Sequence, residues 1–226
     1  MPHLPHRLWQ PYYVPRDNYH GLHGTDPFIF GEQFLYSHCG QTTDNGAGLR
    51  DLGRGSVIVF GSGKEIQGKK KWMLDTVFVV ADSYEYNRRT ALTGLMGCVR
   101  IKERTRNALR SVVVGPLLDN SGEACAPDPC TLGNKRLRLY LGATPANPVN
   151  NMFSFVPAMP AGGTDGFRRP YIDLPEYPRY FNPDHHRGVK GQREDIAPQD
   201  VSGLWRRLVE QVRATGLVLG TYADLP

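Results

Sequence analysis

Two short apolar segments constrain the fold of this chain more than any other feature. Residues 55–62 have the sequence Gly-Ser-Val-Ile-Val-Phe-Gly-Ser, and residues 73–80 have the sequence Met-Leu-Asp-Thr-Val-Phe-Val-Val. β-Branched and aromatic residues dominate both, which favours two strands of one buried sheet. The first segment ends in a bare Gly-Ser-Gly turn, so its end can approach a ligand closely. The second places the carboxylate of Asp75 inside an otherwise apolar strand, where it needs a partner or a function.

Three weaker segments and one helix extend this pattern. Residues 28–36 resemble a strand broken by Gly31, residues 137–142 alternate apolar and polar side chains, and residues 152–157 form a short apolar strand or turn. Residues 200–216 predict an amphipathic helix that Gly216 ends, because the apolar residues between Val201 and Val212 recur at helical spacing. We therefore expect a mainly β (α+β) fold, a small β-barrel with loop elaborations and a C-terminal amphipathic helix packed against it.

Composition divides the 226 residues into an arm and one domain. Residues 1–25 are rich in Pro, His and Tyr and show no hydrophobic period, which predicts an N-terminal arm. Residues 26–226 are predicted to form a single β-rich domain that includes the helix 200–216. Four lysines within residues 64–71 predict a solvated loop between the two strong strands.

The charge balance narrows the class of partner. The net charge is +5 and the isoelectric point is about 9.1, which favours an anionic partner, nucleic acid or a nucleotide. The alternative is a protein that is basic without such a partner. No run of about 18 apolar residues exists, so we expect no membrane span and no membrane partner. The N-terminus has no apolar signal region, which predicts a cytoplasmic protein whose four cysteines are free thiols.

Several side-chain groups could carry chemistry. His38 and Cys39 could act as base and nucleophile, although a cysteine is also commonly a small buried hydrophobe. Cys125 and Cys130 have a spacing that zinc permits, but no second paired half follows, so we expect two free thiols and no metal site. The segment 184–187, Asp-His-His-Arg, follows several tyrosines and suits either base stacking or a surface loop. No P-loop, dinucleotide fingerprint, nucleophile elbow or zinc-protease motif is present, and the residues name no cofactor.

Asp75 has two interpretations. It could hydrogen-bond a base edge or act as a general base in a pocket. It could instead cap a loop or pair with an arginine inside the fold. Because Gly61 and Ser62 end the neighbouring predicted strand, the three residues together could form the rim of a pocket.

The same segments resemble a known family, the third type of the nucleotide-modification-associated domains. The residues that carry the resemblance lie within segments 26–41, 49–62, 74–80 and 152–157. The resemblance implies an association with bacterial and phage systems that modify DNA bases or sense such modification, and it supplies no established catalytic set. The strand that ends in Phe60-Gly61-Ser62 is also similar to the wider PUA-like group, in which small β-barrels hold a flipped or modified base. The expected barrel is then a PUA-like one.

These observations give a binding hypothesis. A binding module for nucleic acid or a modified nucleotide would use aromatic rings to stack on a base and polar groups to read its edge. Basic side chains would attract phosphate. The expected ligand-binding residues are Tyr36, Cys39, Gln41, Phe60, Gly61, Ser62, Asp75 and Thr76, and the expected phosphate-binding residues are Arg50, Arg54, Lys69, Lys70 and Lys71.

Two alternatives remain open at this point. An enzyme that acts on a nucleotide or modified base, by group transfer or hydrolysis, would use His38 or Asp75 as general base and Cys39 as nucleophile. An interaction subunit would instead dock on a protein partner through its arginine-rich helix, with Arg206 and Arg207 in contact.

Overall fold

The structure, a computed structural model, describes residues 27–37, 41, 49–66, 69–87, 103, 106, 136–160, 169–173 and 196–222. Strands dominate these residues, which confirms the mainly β prediction. The predicted N-terminal arm lies outside the described residues. The strands are β1 (Phe28–Phe30), β2 (Gln33–Tyr36), β3 (Val57–Ile66), β4 (Lys69–Tyr86), β5 (Leu137–Gly142), β6 (Val156–Ala158), β7 (Tyr171–Ile172) and β8 (Val218–Gly220), and helix α1 spans Pro198–Ala214.

Strand β4 is the spine of the main sheet, whose order is β1-β2-β5-β4-β3 with β7 also paired to β4. Strand β3 pairs with β4 along one edge. Strand β7, Phe155, Ala143 and β5 follow one another along the other edge. Because one strand of 18 residues carries all these partners, the sheet twists along its length and curls into a half-barrel. Strands β6 and β8 form a separate pair.

The hairpin between β3 and β4 is longer than the sequence predicts. We expected a loop over residues 64–71, but the strands continue, with Lys64 opposite Lys71 and Ile66 opposite Lys69. The lysine-rich composition does not prevent the two strands from pairing. Backbone groups make the ladder, and a hairpin can extend beyond the core with charged side chains on its surfaces.

A β-bulge in β4 decides which residues reach the core. Phe60 lies opposite Thr76 and the next residue, Gly61, lies opposite Leu74, so Asp75 is the extra residue. Strict alternation would place Leu74 and Thr76 on one face. The bulge shifts that phase by one residue, and Leu74 instead shares a cluster with Val77 and Val79.

The two faces of β4 pack two different clusters. The helix-side cluster joins Leu74, Val77, Val79 and Phe155 to the buried residues Leu204, Trp205, Leu208, Val209 and Val212 of α1. The aromatic cluster, on the opposite face, contains Phe34, Tyr36, Phe78, Val80, Tyr140 and Val156. Residues 77–80 are therefore all apolar, because Val77 and Val79 face one core while Phe78 and Val80 face the other.

Helix α1 confirms the predicted apolar stripe. The indole nitrogen of Trp205 donates to the carbonyl oxygen of Phe153 at 2.9 Å, which fixes the helix on the sheet. The helix ends at Ala214, and Gly216 follows in a left-handed conformation with φ of 78°, as is typical after a helix terminus. None of the helices within the described residues has the length and apolarity needed to cross a membrane.

Candidate functional site

The predicted stacking residues Tyr36 and Phe60 belong to the aromatic cluster. The rings of Tyr36 and Tyr140 stack with centroids 5.9 Å apart and planes inclined by 10°. The rings of Phe60 and Phe78 meet that of Tyr36 edge-on, at 5.4 and 6.3 Å. Tyr36 is only 2% exposed, so its ring is packed within the core and leaves no open face on which a base could stack. Phe60 is half-buried.

Tyr140 also fastens the turn that carries Arg50. Its hydroxyl donates to the carbonyl oxygen of Leu49 at 2.8 Å and accepts from the backbone N–H of Leu52 at 3.2 Å. Burial raises the pKa of Tyr140 to about 12, and the hydrogen bond from Leu52 opposes that rise. The turn, predicted as a short helical one, is thereby held against β5, with Arg50 half-buried beside it.

Asp75 is paired with an arginine. Both of its carboxylate oxygens accept from Arg169, through Nε and through Nη2, the latter at 2.7 Å. The same Nη2 donates to the hydroxyl of Ser62 at 3.2 Å. The Asp75 and Arg169 side chains are each about one third exposed, at 29% and 32%. The bulge brings Asp75 and Ser62 together, as the rim hypothesis requires, but it joins them through Arg169, which the sequence patterns did not single out.

The space beside Gly61 is filled by the protein itself. A Cβ on Gly61 would lie 2.2 Å from the carbonyl oxygen of Met73 and 2.4 Å from the indole nitrogen of Trp72. The glycine therefore admits the Trp72 ring and the close backbone of the bulge rather than a ligand. No described residue accepts from the buried indole N–H of Trp72. Thr76 is also buried, at 4% exposure.

Gln41 has its amide committed to the backbone. Its nitrogen donates to the carbonyl oxygen of Arg138 and its oxygen accepts from the backbone N–H of Arg138, both at 2.8 Å. Strand β2 pairs with β5 as far as Tyr36 opposite Tyr140, so the fully buried Gln41 side chain continues the ladder where β2 ends. This arrangement holds Gln41 itself against β5.

Other predicted site residues are not described. His38, Cys39 and the segments around Cys125, Cys130 and 184–187 lie outside the described residues, as do the side chains of Lys69 and Lys70. Lys71 is half-buried. Within the described part of the chain, no group of three or more His, Cys, Asp or Glu side chains is arranged to hold a metal ion.

A second bulge in β4 underlies a cleft that the sequence did not predict. Val80 pairs with Gly142 and Asp82 pairs with Leu141, which leaves Ala81 as the extra residue. The cleft has a volume of about 410 Å³, and the strand ends and turns around the bulge line it: Gln33, Phe34, Arg54, Ala81, Asp82, Leu141, Gly142, Thr144 and Asn147. Its size lies within the range of small-ligand sites.

Arg54 stands at this cleft in a fixed orientation. Its Nη1 donates to the carbonyl oxygen of Ala81 at 3.0 Å, a group that the bulge frees from the ladder. Among the described residues, none accepts from Nε or Nη2 of Arg54. The guanidinium group is therefore anchored by one nitrogen and presents its remaining donors to solvent.

Thr144 and Asn147, on the turn that follows β5, supply two further hydrogen-bond donors to the cleft. The backbone N–H of Asn147 donates to the carbonyl oxygen of Thr144 at 3.0 Å and to its hydroxyl oxygen at 3.2 Å, which closes the turn. No described residue bonds the side-chain amide of Asn147. Asp82 adds an acceptor, and one of its carboxylate oxygens accepts from the backbone N–H of Ser83 at 2.9 Å. The cleft thus combines a cation, amide and hydroxyl donors and one carboxylate.

Of the predicted residues that the structure describes, only Arg54 lines this cleft. The signals that could have located it are short: Arg54 between two glycines, and Asp82 where the apolar run of β4 ends. Arg54 comes close to Asp82 because Gly55 and Ser56 pair with Val80. The rest of the lining depends on the pairing of β4 with β5, which lies more than 50 residues further along the chain.

Comparison with known proteins identifies no relative, because no family model, curated protein or solved structure matches this chain.

Proposed function

We propose that this protein is a binding module for a nucleotide or a nucleic acid, associated with DNA base modification or its sensing, and that it binds phosphate at the cleft beside Ala81. The observation that carries the proposal is the anchored guanidinium of Arg54 at that cleft. An arginine held by one nitrogen can still donate two hydrogen bonds to phosphate oxygens.

The surroundings of Arg54 support a nucleotide more than a bare anion. The Thr144 hydroxyl and Asn147 amide can donate to phosphate or sugar oxygens, and the Asp82 carboxylate can accept from a base amino group. Leu141 also lines the cleft and offers an apolar contact for a ring. The net charge of +5 agrees with an anionic ligand.

The finer fold and family assignments form part of the proposal. A curled half-barrel with a packed helix is compatible with a PUA-like barrel and with the nucleotide-modification-associated domains. On this proposal the recognised ligand is a base or nucleotide within such a system. Arg54, predicted to contact phosphate, keeps that role, whereas Gln41 and Tyr36 support the structure around the site.

The enzymatic alternative receives less support from the described residues. Asp75, its candidate general base, gives both carboxylate oxygens to Arg169. With both oxygens hydrogen-bonded to a guanidinium group, this carboxylate already has a structural partner, and it does not line the cleft. Nothing in the described geometry favours the alternative specifically.

A binding titration tests the proposal. We would titrate the full chain with deoxynucleoside 5′-monophosphates, the matching nucleosides and inorganic phosphate. Short duplexes with and without modified cytosines would follow, at two salt concentrations. We expect phosphate-dependent binding that weakens with salt. Arg54→Gln should lose about 1.5–3 kcal/mol of binding free energy, roughly 10-fold to 150-fold in Kd, because it removes a charge-assisted contact.

Arg213→Gln is the matched control, since it makes the same charge change at an exposed position of α1 away from the cleft. We expect its Kd to stay within about twofold of wild type and its salt dependence to be unchanged. Equal losses of affinity in the two variants would show that only the net charge of the protein matters, which would contradict a specific role of Arg54. Absence of binding to every probe would refute the proposal.

A further inference from the structure

Strand β3 forms one edge of the main sheet. It pairs with β4 on one side, and no described residue pairs with its other side. The opposite edge strand, β1, has only three residues, whereas β3 has ten. A long edge strand is a template for pairing unless charge, proline or a covering element blocks it.

The backbone groups of Val57 and Val59 point away from the sheet. Val57 lies opposite Val79, and Val59 lies opposite Val77. Val77 exchanges two hydrogen bonds with Phe155, at 2.9 and 3.0 Å, on the side of β4 away from β3.

The backbone N–H and C=O groups of Val79 also point away from β3. Its N–H donates to the Ser154 hydroxyl at 2.9 Å, and its carbonyl oxygen accepts from Ala143 at 2.7 Å. In an antiparallel ladder, two residues that face each other without exchanging hydrogen bonds both direct their backbone groups outward. Val57 and Val59 therefore present two N–H and two C=O groups to the open edge.

Two common forms of edge protection, charged side chains and proline, are missing from this stretch of edge. Residues 56–60 contain no charge and no proline. The side chains of Val57 and Val59 pack against the helix-side cluster and those of Ile58 and Phe60 against the aromatic cluster, and all four remain only half-buried. Both cores are thus incompletely covered along the same edge.

We propose that two copies of this chain pair through antiparallel β3 edges, with Ile58 on the twofold axis. Val57 of each copy then lies opposite Val59 of the other, and the outward groups of the two residues exchange hydrogen bonds. An antiparallel edge is complementary to itself under a twofold rotation, so one surface supplies both halves of the contact.

The second copy is the occupant that the edge itself specifies. Self-pairing places Val57 against Val59 and Ile58 against Ile58, which are favourable β-branched pairs. It brings no like charges opposite one another within residues 56–60. A foreign charged peptide finds no complementary charge there.

Val59→Pro tests the pairing directly. Proline removes an N–H that β3 does not use within the monomer, and edge positions of this kind tolerate it. We expect sedimentation of the full chain to show a concentration-dependent dimer. Val59→Pro should raise its dissociation constant at least tenfold, and Val59→Thr, which keeps the N–H and the branched shape, should leave it within about threefold of wild type.

Amide exchange of the wild-type protein gives a second measurement that needs no folded variant. Ile58 and Phe60 donate to β4, so their protection should not depend on protein concentration, whereas protection of Val57 and Val59 should rise as the dimer forms. A monomer at all concentrations would overturn the proposal, and so would a dimer that Val59→Pro leaves intact. Strong protection of Val57 and Val59 at concentrations where sedimentation shows only monomer would also overturn it, because it would indicate an occupant other than a second copy.

Discussion

At the scale of single residues, three polar side chains hold the fold, and two of them, Asp75 and Gln41, are residues that the sequence predicts for ligand recognition. Asp75 pairs with Arg169, the Gln41 amide extends a ladder, and the Tyr140 hydroxyl closes a turn. Each satisfies a group that burial or a bulge would otherwise leave unpaired, and an unpaired buried polar group is costly. A polar residue within an apolar segment is thus best interpreted first as the hydrogen-bond or ion-pair partner of a nearby backbone or charged group.

The Asp75–Arg169 pair should contribute measurably to stability. We expect Asp75→Asn and Arg169→Gln each to lower the free energy of unfolding by roughly 1–2 kcal/mol. The coupling in the double variant should be about 1 kcal/mol, because partial exposure screens a two-pronged pair. Urea unfolding of the four proteins measures it.

The pair Asp51–Arg136 is the control for that cycle. Its N–O distance is 3.2 Å, and both side chains are about half exposed. Its coupling should stay below about 0.5 kcal/mol. If the Asp75–Arg169 coupling were no larger, the carboxylate would be free of a structural role and the catalytic alternative would regain support.

At the scale of elements, the sequence predicts the strong strands and the helix but not their bounds or the phase of β4. The hydrophobic periodicity of the sequence suffices to predict α1, because its apolar stripe faces a single cluster. It fails along β4, because the residues on both faces are apolar and the bulge at Asp75 shifts the alternation. The prediction of a loop over the lysine-rich residues 64–71 was wrong for a different reason. Strand pairing is made by backbone hydrogen bonds, and it does not require buried side chains.

The contact between β5 and the turn at residues 49–52 has a pH dependence. The pKa of Tyr140 is raised to about 12 from an ordinary value of 10, so its neutral form is the one that the fold favours. The associated stability is complete below pH 10 and is lost as the pH rises towards 12. We expect the wild-type free energy of unfolding to fall through that window.

Tyr140→Phe should lose about 1–2 kcal/mol at pH 7, through the two missing hydrogen bonds, and its unfolding free energy should vary less between pH 10 and 12. Tyr171→Phe, at a residue 41% exposed, serves as the control and should behave as wild type. An alkaline profile of Tyr140→Phe that parallels the wild type would show that another group controls the transition.

At the scale of the whole molecule, two distant segments converge on the cleft because β4 carries partners on both edges. Arg54 precedes β3, whereas Leu141 to Asn147 follow β5. The sequence alone could not reveal this convergence, since it depends on the long-range pairing of β4 and on the bulge at Ala81. The predicted rim at Phe60 to Ser62 and the observed cleft beside Ala81 are consequently different parts of one sheet.

The most direct test of the account locates the bound ligand. Nuclear magnetic resonance spectra of the isotope-labelled full chain would be recorded during titration with a deoxynucleoside 5′-monophosphate. We predict saturable shifts of the Arg54 guanidinium, the Asn147 side-chain amide and the Gly142 backbone amide, with little change at Gly61, Ser62 and Thr76. Shifts confined to Gly61, Ser62 and Thr76 would place binding at the rim instead, and an unchanged spectrum would contradict nucleotide binding at the cleft.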